Sequence, residues 1–345
     1  MSSKPAIISI NLVVMNGEKY IRHCLNSVKN LNYPHNQIEV NILDNNSNDK
    51  TLAIVKELKT ELSDFLGYVY TGSSKNIGMW AGQEKLLKQS LGKYVVFLSA
   101  DVLLDKNFLV NSIQLMEHDA TIGSVQPKIY RFDLIENSPR ITNLIDTCGF
   151  EIYKSRRIVN IGHGLEDGPE FNIVKEVFGT EGAVPIFRKD ALEDIKIIDE
   201  IYDHDFFWYA EDLDIAWRMR MFGWKQVFMP QAIAWHDRQT TKSFSGSLIG
   251  FIHNRRNIPI KKRRLEWRNI RYAMIKNDYT TNVLRNILHI IKREIAMLGY
   301  LIIFEPSVLL EIPTLVRKLP RMLAKRKLIM RMAKSTPNDI MRWFK

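Results

Sequence analysis

Short apolar runs alternate with amphipathic stretches over the first hundred residues. Ala6 to Val14, Ile38 to Leu43, Gly67 to Thr71 and Tyr94 to Leu98 are rich in β-branched and aromatic residues. Near-continuous apolar runs of this kind suit strands buried on both faces. Between the first two, Ile21, Cys24, Leu25 and Val28 fall at i, i+3, i+4 and i+7, one face of a helix. Lys50 to Thr60 turns Leu52, Val55 and Leu58 inward, and a helix through Leu86 and Leu87 follows a loop holding Asn76 and Gly78. Strands that alternate with helices predict a parallel sheet of right-handed βαβ units.

The pattern changes after Asp101. Asn107 to Met116 reads as a helix, and Val125 to Phe178 as short strands and loops. Gly182 to Phe187 is a small-residue strand with a helix start at Asp190. Glu211 to Phe222 is a helix, Trp224 to Phe228 a strand, and Ala232 to Trp235 runs into His236. Further on, Leu284, Ile287, Leu288, Ile291, Ile295, Leu298 and Ile302 form one helical stripe, with Arg285, His289, Lys292 and Arg293 off it. Pro306, Pro313 and Pro320 are expected to break the segments that follow.

Charge divides the chain. Residues 1–237 hold 25 Lys/Arg against 32 Asp/Glu, whereas residues 238–345 hold 24 against 6. A mildly acidic body therefore carries a strongly basic tail, and such tails usually face phosphate on lipid or nucleic acid. The only cysteines, Cys24 and Cys148, have no metal-ligand spacing and fit a reducing compartment. The N-terminus lacks signal-peptide anatomy, and no apolar run reaches the roughly 18 residues a spanning helix needs.

Several positions could carry chemistry. Ser99, Ala100 and Asp101 end the Tyr94 strand, where ligands of open α/β sheets bind; Asp101 either meets a metal or a ribose there, or caps the next turn. Asp44 opens a loop of short polar residues, and turn formation explains it as well as an acceptor for a pyrimidine N3–H does. The glycines of Asn76-Ile77-Gly78-Met79-Trp80-Ala81-Gly82 let backbone approach a ligand ahead of a helix. Glu211, Asp212 and Asp214 crowd a helix start. They serve the helix dipole, or mutual repulsion raises one pKa and makes it a base. His236 is either structural or, with a carboxylate such as Asp101, a divalent-ion ligand.

Laid out in order, these stretches resemble the family 2 glycosyltransferases, and most of all their bacterial rhamnosyltransferase-like branch. I-S-I-N-L-V-V-M-N-G resembles the family's first strand, N-I-L-D-N-N-S-N-D-K-T its base-binding loop and K-N-I-G-M-W-A-G its second nucleotide loop. V-V-F-L-S-A-D-V-L-L resembles the D-x-D strand; G-A-V-P-I-F-R-K-D-A-L, W-Y-A-E-D-L-D-I-A-W-R and A-W-H resemble the acceptor and catalytic half. The resemblance implies an α/β, GT-A fold: a mostly parallel, Rossmann-like sheet with flanking helices, plus basic amphipathic C-terminal helices. It implies a catalytic domain over 1–240, with a nucleotide-sugar half (1–105) and an acceptor half (106–240), followed by a membrane-associating region over 241–345. Asn16, Asp44, Asn76, Gly78, Trp80, Ser99 and Asp101 would bind the nucleotide-sugar, Asp212 with Glu211 would be the base, and Asp101 with His236 would hold Mg²⁺ or Mn²⁺. The chain departs from the family where Ser99 replaces the first acid of D-x-D, and it lacks the Q-x-x-R-W motif of processive synthases.

The expected activity is inverting transfer of rhamnose from deoxythymidine diphosphate rhamnose, or of a hexose from a uridine diphosphate sugar, onto a lipid-linked or surface-glycan acceptor. The alternatives are a nucleotidyltransferase of similar architecture and a non-catalytic membrane or RNA-binding scaffold. No nucleic-acid motif is present. The tail is expected to serve no core and to lie on the anionic inner face of the cell membrane, the protein being cytoplasmic and peripheral. Truncation before Asn282 is then expected to leave a soluble nucleotide-binding unit.

Overall fold

The computed structural model describes residues 6–238 and 255–345. Four strands, β1 (Ile8–Val14), β2 (Ile38–Asp44), β3 (Gly67–Gly72) and β4 (Tyr94–Ser99), form the parallel half of one sheet in the order β4-β1-β2-β3. Their alternating side chains feed two cores. Tyr94, Val96 and Leu98 join Ile8, Ile10 and Leu12 on one face, and Val95 and Phe97 point to the other. Helices α1 (Ile21–Lys29), α2 (Thr51–Glu57) and α3 (Met79–Leu87) make the crossovers.

The sheet continues through a mixed half. After the short β5 (Val102–Leu104) and helix α4 (Phe108–His118) comes β6 (Ile122–Ile135), which turns back as β7 (Ser138–Thr147). The expectation of only short strands here fails at β6, which is 14 residues long. Its hairpin turns at Glu136 and Asn137, both at positive φ. That is the type I′ conformation, usually signalled by Asn-Gly or Asp-Gly, which this turn lacks. The pair β8 (Phe150–Ile152) and β9 (Ile158–Asn160) stands apart, and β10 (Lys175–Glu176) edges the main sheet. Strand β11 (Ile186–Arg188) is inserted antiparallel between β4 and β6, and helix α5 (Lys189–Asp194) follows it. Helix α6 (Glu211–Met221) leads into β12 (Lys225–His236), one strand with an irregularity between Met229 and Ile233 where two were expected.

Helices α7 (Ile260–Asn277), α8 (Thr280–Arg285), α9 (Ile287–Phe304), α10 (Ile312–Met332) and α11 (Pro337–Met341) complete the described chain. Of the three prolines expected to interrupt this region, only Pro306 does so. Pro313 sits in the first turn of α10, where no intrahelical N–H bond is lost. Pro320 lies inside α10, with Pro320 and Val316 both exposed, so the carbonyl deprived of its partner can turn to water.

The tail does serve a core. Tyr272, Ala273, Met322, Ile329, Ile340 and Phe344 are buried together with Trp217 of α6 and Phe206 before it. Its cations meet the acidic stretch before α6: Lys276 and Lys325 reach Asp203 at 2.5 and 2.6 Å, and Lys318 and Arg321 reach Asp205 at 2.9 Å each. Part of the charge asymmetry along the sequence is thus an internal pairing of body with tail. The segment 239–254, where the basic run begins, lies outside the described residues.

Candidate active site

The site forms at the carboxyl ends of β1, β4 and β12. A cleft of about 600 Å³ there is lined by nine of the expected residues: Asn16, Asn76, Gly78, Trp80, Ser99, Asp101, Glu211, Asp212 and His236. Such a volume suits a small-molecule ligand. Asp44 is not among them. It ends β2 buried, its Oδ1 accepting from the Ser47 N–H at 3.3 Å, which is the turn role. Its neighbour Asn45 lines the cleft instead. The Asn45 Nδ2 donates to Asn76 Oδ1 (3.0 Å) and to the Gly78 carbonyl (3.2 Å), and its Oδ1 accepts from the Ile77 N–H (2.9 Å). Gly78 caps α3 at φ +91°, 3.1 Å from the Phe207 carbonyl by the position a Cβ would take, so a side chain there would be strained and crowded.

Pairing of β5 with β12 sets His236 opposite Val102 and so beside Asp101. His236 Nε2 lies 3.5 Å from Asp101 Oδ2, and Nδ1 lies 2.9 Å from Asp146 Oδ2. Burial opposes a charge on this ring, but Asp101 and Asp146 outweigh it and hold the pKa up at about 10. Asp146 also accepts from Arg238 Nε at 2.7 Å, and Arg238 reaches Glu181 at 2.8 Å. Asp146, Glu181 and Arg238 were not singled out from the sequence. Arg238 does follow A-W-H-D directly, and Glu181 immediately precedes G-A-V-P.

The set fits a divalent ion. Histidines that ligate metals commonly have the other ring nitrogen oriented by a carboxylate, as Asp146 orients His236. Asp101 and His236 would hold the ion once the ring proton is displaced. No cluster of three or more His, Cys, Asp or Glu suited to a metal exists among the described residues, so water and ligand oxygens would complete the coordination.

Glu211, Asp212 and Asp214, adjacent in sequence, have three different surroundings. Asp214 is fully buried and bound to Arg218 (3.0 Å) and Lys276 (2.9 Å), a structural role. Asp212 is half-buried at the cleft wall and accepts from the Gly182 N–H at 3.2 Å and the Leu213 N–H at 2.8 Å. Burial, and then the charge of Glu181, pushes its pKa up to about 7. Glu211 is buried with Oε1 lacking any hydrogen-bond partner, and burial pushes its pKa up to about 8. Because Glu211 is protonated more readily folded than unfolded, stability falls as pH rises between about 4.3 and about 8. Glu211→Gln is therefore expected to raise the melting temperature relative to the parent at pH 8 and to do so far less at pH 5. Equal shifts at both pH values would contradict a neutral Glu211.

A second cleft, of about 670 Å³, opens beside the first and shares Asp212, Glu181, Tyr209, Arg238 and Lys262 with it. Its further wall comes from β9 and the loop after it, including Asn160 and His163, and from Glu266 and Ile270 of α7. Asp212 thus stands where two ligand-sized spaces meet.

The family model described as Glycosyl transferase family 2 matches residues 9–194. A Methanococcus voltae protein, dolichyl N-acetyl-alpha-D-glucosaminyl phosphate 3-beta-D-2,3-diacetamido-2,3-dideoxy-beta-D-glucuronosyltransferase, is 27% identical over 248 residues, 71% of each chain. A poly-beta-1,6-N-acetyl-D-glucosamine synthase of Staphylococcus epidermidis is 25% identical over 230 residues, 66% of this chain but 49% of its own, so the match spans about half of that relative. Among solved structures, S. aureus TarS 1–349 aligns with a TM-score of 0.55 at 16% identity, covering 97% of this chain and 89% of its own. The mannosyltransferase PcManGT of Pyrobaculum calidifontis, solved with GDP-Man and Mn²⁺, aligns at 0.54 and 14%, covering 96% and 86%. At these identities the structural likeness is one of fold.

Proposed function

This chain belongs to glycosyl transferase family 2, and from that membership we propose that it is an inverting glycosyltransferase with Asp212 as its base. The observation that carries the reading is the position of Asp212 between the two clefts, its carboxylate fixed by two backbone N–H groups and its pKa near neutrality. The nucleotide-sugar lies in the cleft of Asn76, Ser99 and Asp101, and the acceptor enters by the cleft of Asn160 and His163. Asp212 takes the acceptor hydroxyl proton as that oxygen bonds to the anomeric carbon, and the bond to the diphosphate breaks with its electron pair leaving on phosphate. A single carboxylate suffices because inversion forms no covalent sugar–enzyme bond, unlike retaining hydrolysis. A divalent ion held by Asp101 and His236 would supply Lewis-acid stabilisation of diphosphate charge.

The names of the curated relatives move the first donors to test from deoxythymidine diphosphate rhamnose to uridine diphosphate N-acetylhexosamine derivatives. The test incubates the protein with a panel of both kinds, with and without Mn²⁺ or Mg²⁺, and a polyprenyl-phosphate glycan acceptor. Release of nucleoside diphosphate supports the reading. Release of pyrophosphate would point to nucleotidyl transfer instead, and failure of every nucleotide-sugar to bind would point to a scaffold.

We place the acceptor at a membrane on a second observation. The stripe on α9 is largely exposed: Leu288, Ile295 and Ile302 are 79%, 66% and 58% exposed, beside exposed His289 and Lys292. No single described helix is long and apolar enough to cross a membrane. Lying flat on anionic lipid at the cytoplasmic face buries the stripe and brings each basic side chain about 1 kcal/mol of attraction. Leu288→Asp with Ile295→Asp changes only exposed positions, so the fold should survive while sedimentation with anionic vesicles is lost. Undiminished sedimentation would remove α9 as the docking face.

A further inference from the structure

Of the tail cations that meet no carboxylate among the described residues, two lysines in the first turn of α7 line the cleft. Lys276, Lys318, Lys325, Arg264 and Arg268 each meet a carboxylate. Lys261 and Lys262 meet none among the described residues, yet both line the cleft that holds Ser99 and Asp101. They stand on an aromatic shelf. Lys262 Nζ lies 4.5 Å from the Trp208 ring centre and 5.0 Å from that of Tyr209, and Lys261 Nζ lies 5.5 Å from that of Phe207. Partial burial lowers the Lys262 pKa, so this cation is poorly served by solvent where it sits.

The shelf is built to stay in place. Phe207, Tyr209 and Ala210 all have positive φ, a conformation that persists only where surroundings enforce it. The enforcement comes from α7 itself: Asn269 Nδ2 donates to the carbonyls of Phe206 (3.0 Å), Trp208 (2.7 Å) and Tyr209 (2.9 Å). One helix therefore carries the two lysines and pins the loop that presents Asp212. The base and the free cations are held in a fixed relation across the cleft.

Resting on the glycosyltransferase reading above, we propose that Lys261 and Lys262 bind the diphosphate of the donor and hold its charge as the sugar leaves. The chemistry is complementary. A nucleoside diphosphate brings at least two negative charges into a cleft where Arg238 is already neutralised by Asp146 and Glu181. Lysine is a compact point charge suited to phosphate oxygens. Ser99, standing where the family pattern has an acid, leaves one negative charge fewer to compete with the ligand. Diphosphate binding by this chain then has a protein-borne component that persists without a metal ion.

The test is calorimetric titration of the full chain in excess chelator with uridine, deoxythymidine and guanosine diphosphates, each against its monophosphate. The parent is expected to bind its preferred diphosphate more tightly than the monophosphate. Lys261→Met with Lys262→Met, which keeps the aliphatic packing on the shelf, is expected to weaken the diphosphate about 10–100-fold and the monophosphate by less than about threefold. Lys262→Arg in place of Lys262→Met should restore most of the loss. Diphosphate binding by the double variant within twofold of the parent would overturn the proposal, and would leave a phosphate on the acceptor side as the partner of Lys262. Parent binding that appears only with Mn²⁺ or Mg²⁺ would also overturn it while leaving the enzyme's function standing. No nucleotide binding under any condition would bring down both.

Discussion

Asp212→Asn is expected to lower turnover by about 10²–10⁴-fold, the span a general base contributes, with donor affinity within about twofold of the parent. The amide has one oxygen and so keeps one of the two N–H contacts, that of Gly182 (to Oδ2) or that of Leu213 (to Oδ1), and proton acceptance is lost. A group that acts on the acceptor proton contributes to the transition state and little to donor binding. The same assignment fixes the pH profile. Asp212 works as the carboxylate, and burial with the nearby Glu181 charge sets its pKa at about 7, so kcat/KM should fall as pH drops through 7 and level off above about 8. Glu181→Gln removes a negative neighbour, which should move that fall to lower pH. Full turnover by Asp212→Asn, with loss in Glu211→Gln, would transfer the role to Glu211, although Glu211 has its Oε1 buried and unpartnered.

The parallel half of the sheet was legible because β1, β2 and β4 are buried on both faces and its helices show a 3.6-residue period; β1 to β4 lie where the apolar runs stand, although β3 is a part-exposed edge strand. Nine cleft-lining positions stood out for a related reason: they sit at strand ends and helix starts, where small or polar residues interrupt apolar patterning. Asp44, expected at the base, accepts from the Ser47 N–H while Asn45 lines the cleft; which of two neighbouring strand-end side chains does so is decided by tertiary contacts. Asp146, Glu181 and Arg238 were illegible because a three-way ion pair across β7, β12 and the loop before β11 has no spacing signature. Lys261 and Lys262 were visible only as members of a basic run, indistinguishable from the lysines that pair with acids. The expected single stripe is divided, Leu284 lying on α8 and Ile287 to Ile302 on α9, and what faces it is a property of the whole surface.

The largest stability effect should come from Asp203, whose side chain is 2% exposed and joins Lys276 of α7 to Lys325 of α10. Removing one member of a buried ion pair typically costs about 3–5 kcal/mol, because the remaining charge stays buried without its partner. Asp203→Ala leaves Lys276 with Asp214 alone and Lys325 with Glu200 and Asp205, so the loss falls below that range and a fall in melting temperature on the order of 5 °C is expected. Burial works against the charge on Asp203, but Lys276 and Lys325 outweigh it and hold its pKa below the usual carboxylate range. Its contribution is therefore present above about pH 4 and lost as pH falls through the folded value. Lys325 is shifted upward by the same contact against the effect of burial, so its contribution fades only as pH rises past about 10. This pairing also reverses the outcome of truncation before Asn282. That cut removes Lys318, Arg321 and Lys325 together with Met322, Ile329 and Phe344, leaving Asp203 and Asp205 without their α10 partners and Trp217 uncovered. The truncated chain should aggregate or melt well below the full chain rather than gain solubility. A soluble fragment 1–281 that binds nucleotide with full-length affinity would show that the tail is an appendage after all, and that the buried cations of α10 contribute nothing the catalytic half needs.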